Sequence, residues 1–179
     1  MSKDLVRELF GANAANYVVS DVHAKGASLA RLVEIVDPQP DWQGLDIATG
    51  GGHTALVFAP HVAHMIASDL TRQMLDQVDA QVREKKFANV ETREADAEDL
   101  PFDDASFDLV TCRIAPHHFP DIPKFVSEVF RVTKPGGVFA LVDNAAPDEE
   151  TNPGFSDAEL AEAAATYNNF EKIRDPSHN

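Results

Sequence analysis

Short apolar runs alternate with amphipathic segments along most of the chain, and this pattern is typical of strands that alternate with helices. The apolar runs are bounded by turn residues or acidic residues, so they predict strands rather than buried helices. The predicted strands are residues 45–48, 64–68, 107–112 and 138–142, together with residues 90–95, which alternate only weakly, as an outer strand does. The Lys-Pro-Gly-Gly sequence at 134–137 predicts a turn directly before the last strand.

Segments between and around these strands carry apolar residues at helical spacing. The predicted helices are 25–36, 54–59, 71–86 with Thr71 as N-cap, 122–132 and 156–174. In the last helix, Ser156 is the predicted cap, with Glu159 three residues on. The residues predicted to face inward are Leu29, Leu32, Val33, Val36, Met74, Leu75, Val78, Val82, Phe125, Val126, Val129, Phe130, Leu160, Ala163, Ala164, Tyr167 and Phe170.

Short apolar strands separated by amphipathic helices predict an α/β fold: a three-layer sheet of about five parallel strands with helices on both faces. Ligands of such sheets bind beyond the carboxyl ends of the strands, where the strand order reverses. Polar residues at the ends of the predicted strands all fall at that edge. They are Asp46 with the glycines after it, Asp69, Asp96, Arg113 and Asp143.

Composition narrows the class of partner. The chain has 179 residues, enough for one domain, and its 30 acidic residues against 15 basic ones give a formal charge of -15. This charge disfavours nucleic acid and anionic membranes as partners. Cys112 is the single cysteine, so neither an internal disulfide nor a multi-cysteine metal site is expected. The charged start and the absence of a long apolar run predict a cytoplasmic protein without membrane insertion.

The sequence LDIATGGGHTALVFA, residues 45–59, places three glycines between a predicted strand and a helix. A triphosphate loop needs a lysine at the helix start, where this chain has His53 and Thr54. The spacing also differs from G-x-G-x-x-G, and Asp46 would repel a pyrophosphate but attract an ammonium group. The alternative is an ordinary tight turn between strand and helix.

Two further acidic residues extend this interpretation. Asp69 follows Asp46 by 23 positions, at the distance where a carboxylate accepts hydrogen bonds from both ribose hydroxyls; the alternative is a helix cap. Asp96 ends the third predicted strand and could accept from an adenine amine; the alternative is a solvated loop carboxylate. Together the three acids predict a nucleoside site whose third group is cationic.

Four stretches now identify a resemblance. The chain resembles class I S-adenosylmethionine-dependent methyltransferases, and within them the small-molecule branch that includes ubiquinone/menaquinone-biosynthesis C-methyltransferases. The matching text is LDIATGGGH, IASDLTRQML, EADAEDLPFDDASFDLVTCRIAPHHFPD and VFRVTKPGGVFALVD. It spans about residues 42–143. The resemblance implies methyl transfer from S-adenosylmethionine to a small organic acceptor, with S-adenosylhomocysteine as product.

The resemblance also assigns site residues. Asp46 and the loop at Ala48, Gly50 and Gly52 would approach the methionine part of the cofactor. Glycine is commoner at the position of Ala48, so the cofactor is expected to be tolerated less well beside the Ala48 methyl group, without loss of binding. Asp69 would hold the ribose, and Arg113 would lie near the methionine carboxylate or the transferred methyl. The adenine would be contacted by Leu70, Asp96 and Ala97.

Histidines and one tyrosine are the candidates for acceptor chemistry. His117 and His118 could act as bases or orient the acceptor, since histidine exchanges a proton near neutral pH; the alternative is a structural role. Tyr17 and His23 could line the acceptor pocket, or belong to an ordinary amphipathic segment. His53 fits a helix start better than a catalyst.

The expected domain is single: a helical cover (1–40), a cofactor-binding core (41–143) and a C-terminal helical segment (144–179). Relatives of this type usually add an antiparallel strand pair, which is not expected here, so 138–142 would be an apolar sheet edge. A homodimer, the C-terminal helix or residues outside the sequence could cover that edge. Two functions stay open: a methyltransferase, or an inactive cofactor-binding protein with a regulatory or assembly role. A nicotinamide oxidoreductase is rejected, because no Tyr-x-x-x-Lys pair occurs.

Overall fold

The computed structural model describes residues 3, 27–143, 156 and 158, and its centre is a five-stranded sheet. The strand order is β3-β2-β1-β4-β5, and every neighbouring pair is parallel. This confirms the parallel sheet that the sequence predicts, and no antiparallel pair follows β5 within the described residues. The strands are β1 (Gln43–Ile47), β2 (His64–Asp69), β3 (Val90–Glu94), β4 (Phe107–Arg113) and β5 (Thr133–Val142).

Helices form three of the four connections between the strands and cover both faces of the sheet, while β3 continues to β4 without a helix. The helices are α1 (Ala27–Val36), α2 (His53–Phe58), α3 (Arg72–Lys85) and α4 (Ile122–Val132), with single 3₁₀ turns at Ala59–His61 and Pro116–His118. Thr71 is the N-cap of α3, as predicted, and α4 starts after Asp121, whose carboxylate accepts from the backbone N–H of Lys124 at 3.0 Å. The predicted helix at 156–174 and the start of the one at 25–36 lie outside the described residues, apart from positions 156 and 158.

Two apolar clusters form the core, one on each face of the sheet. On one face, residues of α1, α2 and α3 pack on β2 and β4, with Phe58 and Met65 fully buried. On the other face, α4 packs on β1 and β4 through Phe125 and Val110. Successive residues of β1 point to opposite faces, so Asp46 faces away from Leu45 and Ile47, which both belong to the second cluster.

The inward face of α4 differs from the prediction. Phe125 and Val129 are buried as expected, but Val126 is 52% exposed and Phe130 is 85% exposed. The helix carries adjacent apolar pairs, so helical spacing alone allows two neighbouring faces. The face that also contains Val132 packs against the sheet.

β5 begins earlier than predicted, and the expected turn at 134–137 is wrong. Thr133 already pairs with Phe107, and the next pair joins Val138 to Leu109, so the Lys-Pro-Gly-Gly sequence forms an irregularity within the strand. Gly136 has φ +81°, a conformation that glycine adopts without steric cost. Beyond it, Phe139 is 37% and Leu141 49% exposed at the edge of the described sheet. Among the described residues, no helix is long and apolar enough to cross a bilayer.

Candidate functional site

A cleft lies at the carboxyl ends of the strands, near the position where β1 and β4 sit side by side and the strand order reverses. It is lined by the segments that follow β1, β2, β3 and β4. Nine of the predicted cofactor-binding and catalytic residues line it: Asp46, Ala48, Gly50, Asp69, Leu70, Asp96, Ala97, Arg113 and His118.

Asp46 is a buried carboxylate at the base of the cleft. It accepts hydrogen bonds from the Thr49 and Thr111 hydroxyls, both at 2.6 Å, and from the Ala55 backbone N–H at 3.2 Å. Burial raises the pKa of Asp46 to about 6, although these hydrogen bonds and the charge of Arg113 favour the ionised form. The site therefore holds a carboxylate whose negative charge is poorly solvated and would be stabilised by a cation.

The glycine loop has an unusual backbone. Ala48, Gly50 and Gly52 have φ of +52°, +52° and +80°. A Cβ at Gly50 would meet nothing within 4 Å, so the backbone there borders open space. A Cβ at Gly52 would lie 2.9 Å from a methyl of Val78, and Gly52 is buried and absent from the cleft lining. Gly50 thus borders the cleft, whereas Gly52 permits close packing of α2 against α3.

Asp69 connects the glycine loop to the start of α3. Its carboxylate accepts from the backbone N–H of Gly50 and from that of Thr71, both at 2.9 Å. Burial raises the pKa of Asp69, and these backbone donors oppose that increase. The contact with Thr71 agrees with the capping alternative, while the contact with Gly50 holds the carboxylate in the cleft lining.

Two acidic residues after β3 share one basic partner, Lys3, which no sequence pattern indicated. Asp96 and Glu98 both pair with the ammonium group of Lys3, Glu98 at 2.8 Å. Burial opposes ionisation of Asp96, but the hydrogen bond from Lys3 leaves its pKa lowered overall. Glu98 is buried and also accepts from the Asp121 backbone N–H at 2.8 Å. Glu98 is therefore a packed structural carboxylate rather than part of a solvated loop.

The segment after β4 supplies the basic side of the cleft. Arg113 is buried, which lowers its pKa, while the charge of Asp46 partly offsets that effect. Ile114 has φ +53°, a conformation that is strained for a β-branched residue. Its backbone N–H donates to the Val142 carbonyl at 2.7 Å, so pairing with β5 supports the strained residue.

The two adjacent histidines have different surroundings. His118 lines the cleft, but His117 does not; its Nδ1 lies 2.6 Å from a carboxylate oxygen of Asp143, directly after β5. The two imidazole centroids are 4.0 Å apart. His53 is the first residue of α2 and also lines the cleft. Tyr17 and His23 lie outside the described residues. Within the described part of the chain, no group of three or more acidic, histidine or cysteine residues could hold a metal ion.

The cleft belongs to a part of the chain that is similar to known proteins. A family model described as a methyltransferase domain matches residues 45–141. The chain is 39% identical to a Bacillus subtilis protein named uncharacterized methyltransferase YcgJ, over 94% of this chain and 62% of that one. The crystal structure of YcgJ superposes with a TM-score of 0.74, covering 84% of this chain and 60% of that one at 41% identity.

A further relative carries a more specific name. The chain is 35% identical to the ubiquinone/menaquinone biosynthesis C-methyltransferase UbiE of Brucella anthropi, over 78% of this chain. The match covers 57% of UbiE. The chain therefore spans less than two thirds of the length of these relatives.

Proposed function

This chain belongs to the methyltransferase domain family, and from that premise we propose that it transfers a methyl group from S-adenosylmethionine to a small organic acceptor. The observation that carries the proposal is the cleft itself. Three carboxylates, Asp46, Asp69 and Asp96, line it at the ends of β1, β2 and β3. A cofactor with a cationic amino-acid end, a ribose and an adenine offers donors for all three.

The residues present fit that cofactor. The open space beside Gly50 would admit a group close to the backbone, and the poorly solvated charge of Asp46 favours a cation. Asp69 has acceptor oxygens for ribose hydroxyls, with Leu70 next to it in the lining. Asp96 and Ala97 offer a carboxylate and an apolar surface for the adenine, and Arg113 offers a cation for the methionine carboxylate.

When bound, S-adenosylmethionine supplies a methyl carbon that is already electrophilic, so the protein has little covalent chemistry to perform. The cleft residues orient the two reactants and exclude water from them, which is where most of the rate enhancement arises. An acceptor that loses a proton also needs a base, and of the two predicted catalytic histidines His118 is the one that lines the cleft, as Arg113 and Ala115 do. The thiol of Cys112 is excluded from this role, because burial raises its pKa well above the ordinary value.

The acceptor class is part of the proposal. The relative UbiE is named as a C-methyltransferase of quinone biosynthesis, which makes phenolic and quinol-like compounds the first acceptors to test. The excess of acidic residues and the buried Cys112 support a small, uncharged or cationic acceptor and a reducing, cytoplasmic setting.

The experiment is turnover of S-adenosylmethionine to S-adenosylhomocysteine, measured by chromatography with a panel of phenols, naphthohydroquinones and thiols. We expect product formation that depends on one acceptor class and rises with its concentration. Saturable cofactor binding without turnover on any acceptor would instead support the alternative, an inactive cofactor-binding protein. Absence of binding by S-adenosylmethionine and S-adenosylhomocysteine at millimolar concentration would refute both functions.

A further inference from the structure

The contact between His117 and Asp143 lies outside the cleft lining and joins the segment after β4 to the residue after β5. One carboxylate oxygen of Asp143 lies 2.6 Å from Nδ1 of His117, and the other accepts from the His117 backbone N–H at 3.1 Å. An ionised carboxylate only accepts hydrogen bonds, so with Asp143 ionised this contact requires the hydrogen on Nδ1 of His117. Asp143 thereby fixes both the backbone and the ring of one residue.

This contact ties the segment after β4 to the end of β5. A further tie is the hydrogen bond from the Ile114 backbone N–H to the carbonyl of Val142, immediately before Asp143. Between the two ties, the chain passes through the left-handed Ile114 and the 3₁₀ turn Pro116–His118. The left-handed conformation of Ile114 is unfavourable by itself, and these ties to β5 help to stabilise the segment in this form.

The turn determines where the imidazole of His118 lies. The His118 backbone N–H donates to the Ala115 carbonyl at 2.9 Å, and the centroid of the His118 ring lies 4.0 Å from that of the His117 ring. Asp143 holds the His117 ring in place, and the His118 ring packs against it. The His118 ring therefore lines the cleft in an orientation that the His117 ring supports.

We propose that Asp143 and His117 are positioning residues, which hold His118 in the cleft as the base that takes the proton of a hydroxyl or thiol acceptor. This inference rests on the proposed methyl transfer. In that step the acceptor oxygen or sulfur forms a bond to the methyl carbon, and the carbon–sulfur bond of the cofactor breaks with its electron pair left on sulfur. The acceptor proton moves to a ring nitrogen of His118, so the products are the methylated acceptor, S-adenosylhomocysteine and an imidazolium ion.

The test combines four variants: Asp143→Ala, Asp143→Asn, His118→Gln and the double variant Asp143→Ala/His118→Gln. The control is Asp41→Asn, which removes an exposed carboxylate just before β1, at the opposite end of the sheet. Calorimetry with S-adenosylhomocysteine should give affinities within about threefold of wild type for both Asp143 variants, because Asp143 is not in the cleft lining.

Transfer to a phenol or thiol at saturating S-adenosylmethionine supplies the decisive comparison. We expect kcat to fall about 10²-fold or more in His118→Gln, and about 10-fold in Asp143→Ala. Asp143→Asn keeps one acceptor oxygen and should lose less. The double variant should be no slower than His118→Gln alone, because a residue that acts through another has no effect once the other is gone. A merely structural role of Asp143 would slow the double variant further.

A second readout does not depend on turnover. In nitrogen NMR spectra at neutral pH, the His117 ring of the wild-type protein should carry its hydrogen on Nδ1, and Asp143→Ala should show a mixture of tautomers. Full activity of His118→Gln, multiplicative losses in the double variant, or an unchanged His117 tautomer would each overturn the inference. A protein that binds the cofactor but transfers to no hydroxyl or thiol would also overturn it. Failure to bind S-adenosylhomocysteine at all would instead refute the proposed function.

Discussion

The buried carboxylate of Asp46 should make the free energy of unfolding depend on pH in a defined window. Burial raises its pKa in the folded protein to about 6 from an ordinary value of 3.8. The folded state therefore binds a proton at pH values where the unfolded chain does not, and this contribution to stability is complete below pH 3.8 and lost as the pH rises through 6. The whole shift corresponds to about 3 kcal/mol, of which about 1.4 kcal/mol falls between pH 5 and pH 8.

The Asp46→Asn variant isolates this effect, because asparagine has the shape of the protonated acid at every pH. Urea unfolding at pH 5 and pH 8 should show the variant gaining about 1.4 kcal/mol over wild type between the two values. The variant has to be compared with the wild type, because the raised pKa of Asp69 also makes the free energy of unfolding of the wild type fall as the pH rises.

The matched control for Asp46 is Asp108→Asn. Burial opposes ionisation of Asp108 too, but the backbone N–H of Gln43 and the ammonium of Lys134, both at 2.8 Å, leave its pKa lowered. Asp108 is then ionised in both states above pH 5, so its variant should differ from wild type by a constant amount. If the difference in free energy of unfolding between Asp46→Asn and wild type were equally constant from pH 5 to pH 8, the conclusion that burial raises the pKa of Asp46 would be refuted.

Three further predictions concern the glycine loop and the sheet edge. Ala48→Gly should raise the free energy of unfolding by up to about 1 kcal/mol, because glycine removes the steric cost of φ +52°; a loss of stability in urea would contradict the strain. Gly52→Ala should destabilise the protein by about 1–3 kcal/mol more than Gly136→Ala, because both have φ near +80° but only the first would press a Cβ against Val78; equal losses would exclude the clash. If a second copy covers the edge at 138–142, light scattering should give a dimer with slow amide exchange there, whereas a monomer with fast exchange would count against it.

The sequence predicted the strand and helix order closely, because each element carries a strong local signal. β4 was expected at 107–112 and ends one residue later, while α4 was expected at 122–132 and has those bounds. The candidate carboxylates could be predicted for the same reason: Asp69 stands where an apolar run ends, Asp46 lies in the short run before the glycines, and the carboxyl ends of parallel strands meet at one edge.

What the sequence did not reveal depends on contacts between distant residues. The choice between Phe125 and Val126 as the inward residue of α4 requires the sheet beneath it, since both fit the helical period. The ion pair from Lys3 to Glu98 and the contact from His117 to Asp143 join residues with no shared pattern. The Gly52 position shows the same limit, because a packing role against Val78 cannot be distinguished from a cofactor contact before the helices are placed.

The most direct measurement is calorimetric titration with S-adenosylhomocysteine of the wild-type protein and of Asp69→Asn, with Asp41→Asn as the control. We expect one saturable site in the wild type and the control, and an affinity about 10²-fold weaker in Asp69→Asn, because charge-assisted hydrogen bonds to two ribose hydroxyls contribute about 3 kcal/mol or more. Circular dichroism should show that Asp69→Asn remains folded. Absence of any saturable heat from the wild type at millimolar ligand, or equal affinity in Asp69→Asn, would contradict the assignment of the cleft to this cofactor.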